Sequence, residues 1–79
     1  MSYRNITAPQ MRAARGLLDW NQTDLAAASG VALSTVKRME SLGPEKSSVQ
    51  NIDKISTALE EAGVAFTNGG EPGVKLIRR

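Results

Sequence analysis

Apolar residues recur every three or four positions through most of this chain, and the pattern changes once, near residue 63. Met11, Ala14, Leu17 and Leu18 fall at helical spacing and predict a helix over Ala8–Leu18. Thr7 can cap it, and Pro9 is tolerated in the first turn, where a missing N–H costs nothing. Asn21 is the next capping residue. Asp24 follows it in the first turn, where the helix dipole favours an acid. Leu25, Ala26 and Ser29 continue this short helix to Gly30, which suits a left-handed C-terminal cap. A third helix over residues 33–41 begins almost at once, with Val36 and Met39 on one side.

Two short helices joined by a tight glycine turn predict a helix-turn-helix. Residues 42–46 read as a loop from Gly43 and Pro44. Ser47 or Ser48 then caps a fourth helix, whose apolar stripe is Val49, Ile52, Ile55, Leu59 and Ala62, and Gly63 ends it. Beyond that point Val64–Thr67 and residues 74–77 have the composition of short strands, and residues 68–73 between them are turn chemistry. The expected fold is mainly α, four helices with a C-terminal β-hairpin. It forms a single domain over residues 1–79, with a helical part at 8–62 and a hairpin at 64–77.

Composition narrows the chemistry. The length of 79 residues suits one domain and one modest core. Tyr3, Trp20 and Phe66 are the only aromatic residues, so the core must be aliphatic and methionine-containing. There is no cysteine, which excludes a disulfide framework and a thiolate metal site. There is no histidine, which removes the usual general base and the commonest metal ligand. The carboxylates and lysines show no catalytic spacing, and Glu60-Glu61 is most simply the polar face at the end of the fourth helix. Neither enzymatic activity, nor a metal, nor a cofactor is expected. No apolar run approaches the ~18 residues of a membrane span. The N-terminus lacks the apolar segment of a secretory signal, so the bacterial-type cytoplasm is the expected location. The net charge of +2 is a weak pointer towards nucleic acid, and its distribution says more than its sum. The bases cluster as Arg12 with Arg15, Lys37 with Arg38, and Lys75 with Arg78 and Arg79, whereas the acids are scattered.

The run from Gln22 to Glu40 resembles the helix-turn-helix of the lambda-repressor-like (Xre) family. It has a glutamine opening the second helix, Leu25-Ala26 one turn on, Gly30-Val31 at the turn, Ser34-Thr35-Val36 in the third helix, and a closing Glu40. The likeness extends back through Met11, Arg12 and Arg15 and forward into the fourth helix. It implies a DNA-binding transcriptional regulator acting on double-stranded DNA. It also implies that Gln22 bonds a phosphate and braces the recognition helix, that Arg15 and Glu40 form a partly buried ion pair, and that Lys46 and Ser48 lie in a loop that often touches a phosphate. For Lys46, Ser47 and Ser48 a solvated loop with an ordinary N-cap is an equal alternative. Trp20, just before the Asn21 cap, is expected in the core. Two departures from the family pattern stand out: Ala32, where a capping side chain is usual, and Leu33, less polar than a base-reading position normally is.

The physics of a groove-reading helix agrees. An α-helix fits the major groove, and polar side chains on its outer face reach base edges. With Val36 and Met39 turned inward, Leu33, Ser34, Thr35, Lys37 and Arg38 remain for DNA and solvent. Arg38 can fork onto guanine O6 and N7, Leu33 can touch a thymine methyl, and Ser34 can serve a base or a phosphate. Residues 8–62 are expected to close a core by themselves, which leaves the apolar hairpin residues Val64, Phe66, Val74, Leu76 and Ile77 for homodimerisation. On this view the chain truncated after Gly63 stays helical and becomes a monomer. A hairpin folded back on its own helices is the alternative, as is an edge that accepts a different regulatory protein. At the level of function the alternative is an antitoxin or antiactivator on the same fold.

Overall fold

The computed structural model describes residues 6–67 and 72–77. The expected turn at residues 68–71, the basic pair Arg78 and Arg79, and Tyr3 lie outside the described residues. Helix α1 spans Ala8–Leu18, α2 Gln22–Ser29, α3 Leu33–Leu42 and α4 Val49–Glu61, with a single 3₁₀ turn at Pro44–Lys46. Strands β1, Val64–Thr67, and β2, Gly73–Leu76, pair antiparallel with Val64 opposite Leu76 and Thr67 opposite Gly73. Three boundaries differ from expectation: α3 takes in Leu42, the loop holds a 3₁₀ turn, and the second strand starts one residue earlier and excludes Ile77.

Each helix start has a local cause. Thr7 Oγ1 accepts from the Gln10 amide while Gln10 Oε1 accepts from the Thr7 amide, a reciprocal capping box. Asn21 and Asp24 make the same exchange at α2. Ser48, not Ser47, caps α4 by accepting from the Asn51 amide at 3.0 Å, and Ser47 Oγ accepts from Asn51 Nδ2. Helix α3 has no side-chain cap, because Ala32 offers no oxygen. The tight turn into α3 is held instead by Ser29, whose Oγ accepts from the Val31 amide at 3.2 Å. Gly30 closes α2 with φ of 78°, the left-handed conformation that this turn requires. Gly43 is more constrained, since at φ of 108° a Cβ there would lie 2.6 Å from the Glu45 carboxylate.

The core joins every element. Helix α1 contributes Met11, Ala14 and Leu18, α2 contributes Leu25, and α3 contributes Val36 and Met39. Helix α4 adds Ile55, Ala58 and Leu59, and Trp20 packs at the margin. Two expected stripe positions fall outside it. Leu17 is on the flank of α1 and Val49, the first residue of α4, is 73% exposed, because the packed face ends before the helix does. Ser56 is fully buried on α4 and, among the described residues, its hydroxyl has no hydrogen-bond partner. Replacing Ser56 by alanine removes an unsatisfied polar group and improves helix propensity, so stability should rise by about 1 kcal/mol. A lower melting temperature for this variant would show that the hydroxyl is in fact satisfied.

Within the single chain the hairpin folds back on its own helices, the alternative given above to a hairpin held only by a second subunit. Val64 is 1% exposed, and Phe66, Val74 and Leu76 pack against the buried cluster. The physical reason is that a two-stranded hairpin is marginal in water and needs an apolar partner, which α1 and α4 provide within the same chain. Gln10 fastens the two together. It is 3% exposed, and its Nε2 donates to the carbonyls of Thr67 and Gly73, at 3.2 and 3.0 Å, across the last pair of the ladder.

Candidate nucleic-acid interface

At ~100° per residue, the arginines and Gln10 of α1 lie on opposite flanks of its core stripe. Gln10 faces the hairpin, and Arg12 and Arg15 face α3. The partner on α3 is Glu40, which is 4% exposed. Arg15 grips it in a fork: Nε lies 2.7 Å from Oε2 and Nη2 lies 2.8 Å from Oε1. Gln22, at the start of α2, donates from Nε2 to the same Oε1 at 3.1 Å. Arg12 Nη1 donates to the backbone carbonyl of Glu40 at 2.6 Å, and Arg15 Nη1 reaches the carbonyl of Trp20. Glu40 is thus the point where α1, α2 and α3 are tied. The hydrogen bond to Glu40 holds the Arg15 guanidinium above its ordinary pKa, against the desolvation that would lower it.

This anchoring sets what α3 can present. Val36, Met39 and Glu40 turn inward, and Ser34, Lys37 and Arg38 stand exposed on the opposite side. Leu33 and Thr35 are half-buried. Lys37 also borders a shallow depression with Arg12, Asn21, Gln22 and Ser41, on the side where α1, α2 and α3 meet. The Glu40 charge at its floor is matched by Arg15, so Arg12 and Lys37 leave the depression positive. The 3₁₀ turn places exposed Lys46 just after α3, and exposed Ser48 is occupied by its capping bond. The hairpin residues Val64, Phe66, Val74 and Leu76 are gathered on the other flank of α1, while Ile77 is 60% exposed past the end of β2.

Residues 11–62 match the helix-turn-helix family. That is more than half of the chain, and it spans α1 to α4 with the whole Glu40 cluster. The chain is a helix-turn-helix protein of the lambda-repressor-like, Xre type. The family is one of DNA-binding transcription regulators, and this helix-turn-helix protein is placed among them. The comparison with curated proteins gave no match. No helix of the described residues is long and apolar enough to cross a membrane.

Two residues of the arrangement escape a reading of the sequence for groove contacts. Arg12 carries no motif of its own, and only its place three residues before Arg15 puts it on the same helix flank. Gln10 had a legible signal, since Thr7-x-x-Gln10 is a capping box, but its second bond to the hairpin spans 63 positions of sequence.

Proposed function

We propose that this helix-turn-helix protein is a dimeric repressor, acting in the cytoplasm on a palindromic operator that its two α3 helices read. The reading places the half-sites about 10–10.5 base pairs apart, centre to centre, as a two-fold dimer on B-DNA requires. Arg38 is assigned to a guanine, Leu33 to a thymine methyl, and Ser34, Thr35 and Lys37 to the surrounding base edges and phosphates. Gln22, Lys46 and Ser48 are assigned to backbone phosphates, and the hairpin, through Phe66, Val74, Leu76 and Ile77, to the second subunit.

The observation that carries the reading is the two-sidedness of α3. Its inner side is fixed by Val36, Met39 and the Arg15–Glu40 fork, and its outer side offers Ser34, Lys37 and Arg38 to solvent. A rigid helix with an exposed polar face suits major-groove readout, in which side chains must reach base edges in a set register.

Replacing Arg38 by alanine should cost roughly 1–3 kcal/mol on the best operator and relax preference at one base position. Replacing Gln22 by alanine should weaken binding to all duplexes alike, with a small loss of thermal stability from the missing bond to Glu40. Titration of both variants against the operator and its single-base changes measures this. An Arg38 variant that loses the same factor on every sequence would make Arg38 a phosphate contact. Affinity of the parent protein should also fall linearly with salt in log–log form. A protein-binding adaptor on the same fold would show no such dependence.

A further inference from the structure

Between α1 and the start of β2 runs a groove lined by Pro9, Gln10, Ala13, Pro72, Gly73 and Val74. Beside it lies a backbone edge with unused hydrogen-bonding groups. The Ile77 amide donates to the Gly63 carbonyl at 2.7 Å, so residues 63 and 77 form a hydrogen-bonded pair. Such pairs alternate in an antiparallel ladder, so Val64–Leu76 and Phe66–Val74 are the non-bonded pairs. The amides and carbonyls of Val74 and Leu76 therefore point away from β1. Among the described residues none of them has a partner. On β1 Val64 is buried to 1% exposure, whereas Val74 and Leu76 on β2 are half-exposed and Val74 borders the groove, so the edge open beside the groove is that of β2.

We infer that this edge pairs antiparallel with the β2 of a second copy, making a four-stranded sheet, and that the two α1 helices meet alongside through Pro9 and Ala13. The inference rests on the dimeric reading above and names its contact. An open edge calls for an extended partner, and a second copy supplies the same donors and acceptors in reverse order about a two-fold axis. The charges choose the register. Centring the pair on Lys75 would set two lysines directly opposite each other, which is destabilising. Centring it on Val74 sets Lys75 against glycine and brings Leu76 beside Pro72, whose carbonyl can still accept. That register lies at the Pro72–Val74 end of β2, the end that the groove borders. Pro9 and Ala13 are exposed in the single chain and carry no charge, so this flank of α1 can be covered without stranding an ion.

Sedimentation of the full chain without DNA tests the contact separately from operator binding. The parent protein should sediment at twice the 8.4 kDa chain mass at micromolar concentration. Replacing Val74 by proline removes an outward-pointing amide and breaks no bond of the chain's own ladder, a position where edge strands tolerate proline. Replacing Ala13 by glutamate sets two acids across the axis. Both variants should fall to monomer mass with helical circular dichroism retained. The chain has no cysteine, so a single introduced one reports the register cleanly. Opposed Cα atoms of a bonded pair lie about 5.5 Å apart, within disulfide range. Val74→Cys should therefore cross-link to a dimer on mild oxidation and Lys54→Cys, on exposed α4, should not. A parent protein that sediments as a monomer overturns the inference, as do both edge variants remaining dimers. A monomer whose Val74 and Leu76 amides respond instead to an extended peptide would assign the edge to a different protein and equally overturn it.

Discussion

Replacing Arg15 by alanine is expected to destabilise the protein by roughly 3–5 kcal/mol, the usual cost of stranding one partner of a buried pair. At ~4–8 °C per kcal/mol for a domain of this size, the melting temperature should fall by at least about 12 °C. The side chain left behind is what makes the change severe. The Glu40 side chain is 3% exposed and, among the described residues, would keep only the Gln22 amide as a side-chain donor. The reverse substitution, Glu40→Ala, should cost less. The Arg15 side chain is 18% exposed, still holds the Trp20 carbonyl and can turn towards water. The double variant should be less destabilised than the sum of the singles, because the second removal relieves the charge that the first stranded. Additive losses would mean that the fork does not act as a unit. Alkali is not a substitute for the mutation. A cation whose folded pKa is raised contributes stability that is complete below its unfolded value and lost only as pH rises through the folded one. For Arg15 the unfolded value already lies in strong alkali, and the hydrogen bond to Glu40 raises the folded one further. The same substitutions should weaken operator binding beyond their effect on folding, since the fork fixes α3 against α1.

The four helices were legible because their signals are local. Helical spacing, Thr7 and Asn21 as caps, and Gly30 at the turn each act within a few residues, and each element formed close to where it was expected. The strands were legible for the same reason. The unexpected features are long-range. Val64 reads as apolar whether it faces its own helices or a second chain, and only the packing of β1 against α4 decides between them. Gln22 was expected to bond a phosphate and brace the third helix, but which residue of α3 its amide would meet, here Glu40, depends on the angle between α2 and α3. Arg12 shows the converse case: a basic residue counted in a cluster proves to be tied to a backbone carbonyl on α3. The exposed face of α3 was legible as soon as Val36 and Met39 were assigned inward, since helical geometry then leaves Ser34, Lys37 and Arg38 outside.

Truncation after Gly63 should unfold the helical core or bring it close to unfolding, rather than release a stable helical monomer. The segment removed holds Val64, buried to 1% exposure, together with Phe66, Val74 and Leu76 packed on the same cluster. Full burial of side chains of this kind contributes about 1.5–3 kcal/mol each, and partial burial proportionately less. The four together therefore amount to several kcal/mol, set against the ~5–15 kcal/mol of a whole domain. Truncation also strips the cover from the α1 and α4 residues beneath the hairpin and deprives Gln10 of the Thr67 and Gly73 carbonyls. The truncated chain should therefore show a weakened helical circular dichroism signal and a broad melt at much lower temperature than the parent. Leu76→Ala, which trims one contact and leaves the ladder intact, should give a smaller drop with cooperativity preserved. This outcome also bears on how dimers are sought: a truncated chain that loses operator binding would report lost folding, not lost pairing. For that reason the contact is better probed by Val74→Pro, at the β2 edge, and Ala13→Glu, on the flank of α1 across the groove from it. If the truncated chain kept a cooperative melt within a few degrees of the parent, the hairpin would be an appendage to a core closed by residues 8–62, and its apolar face would need another occupant.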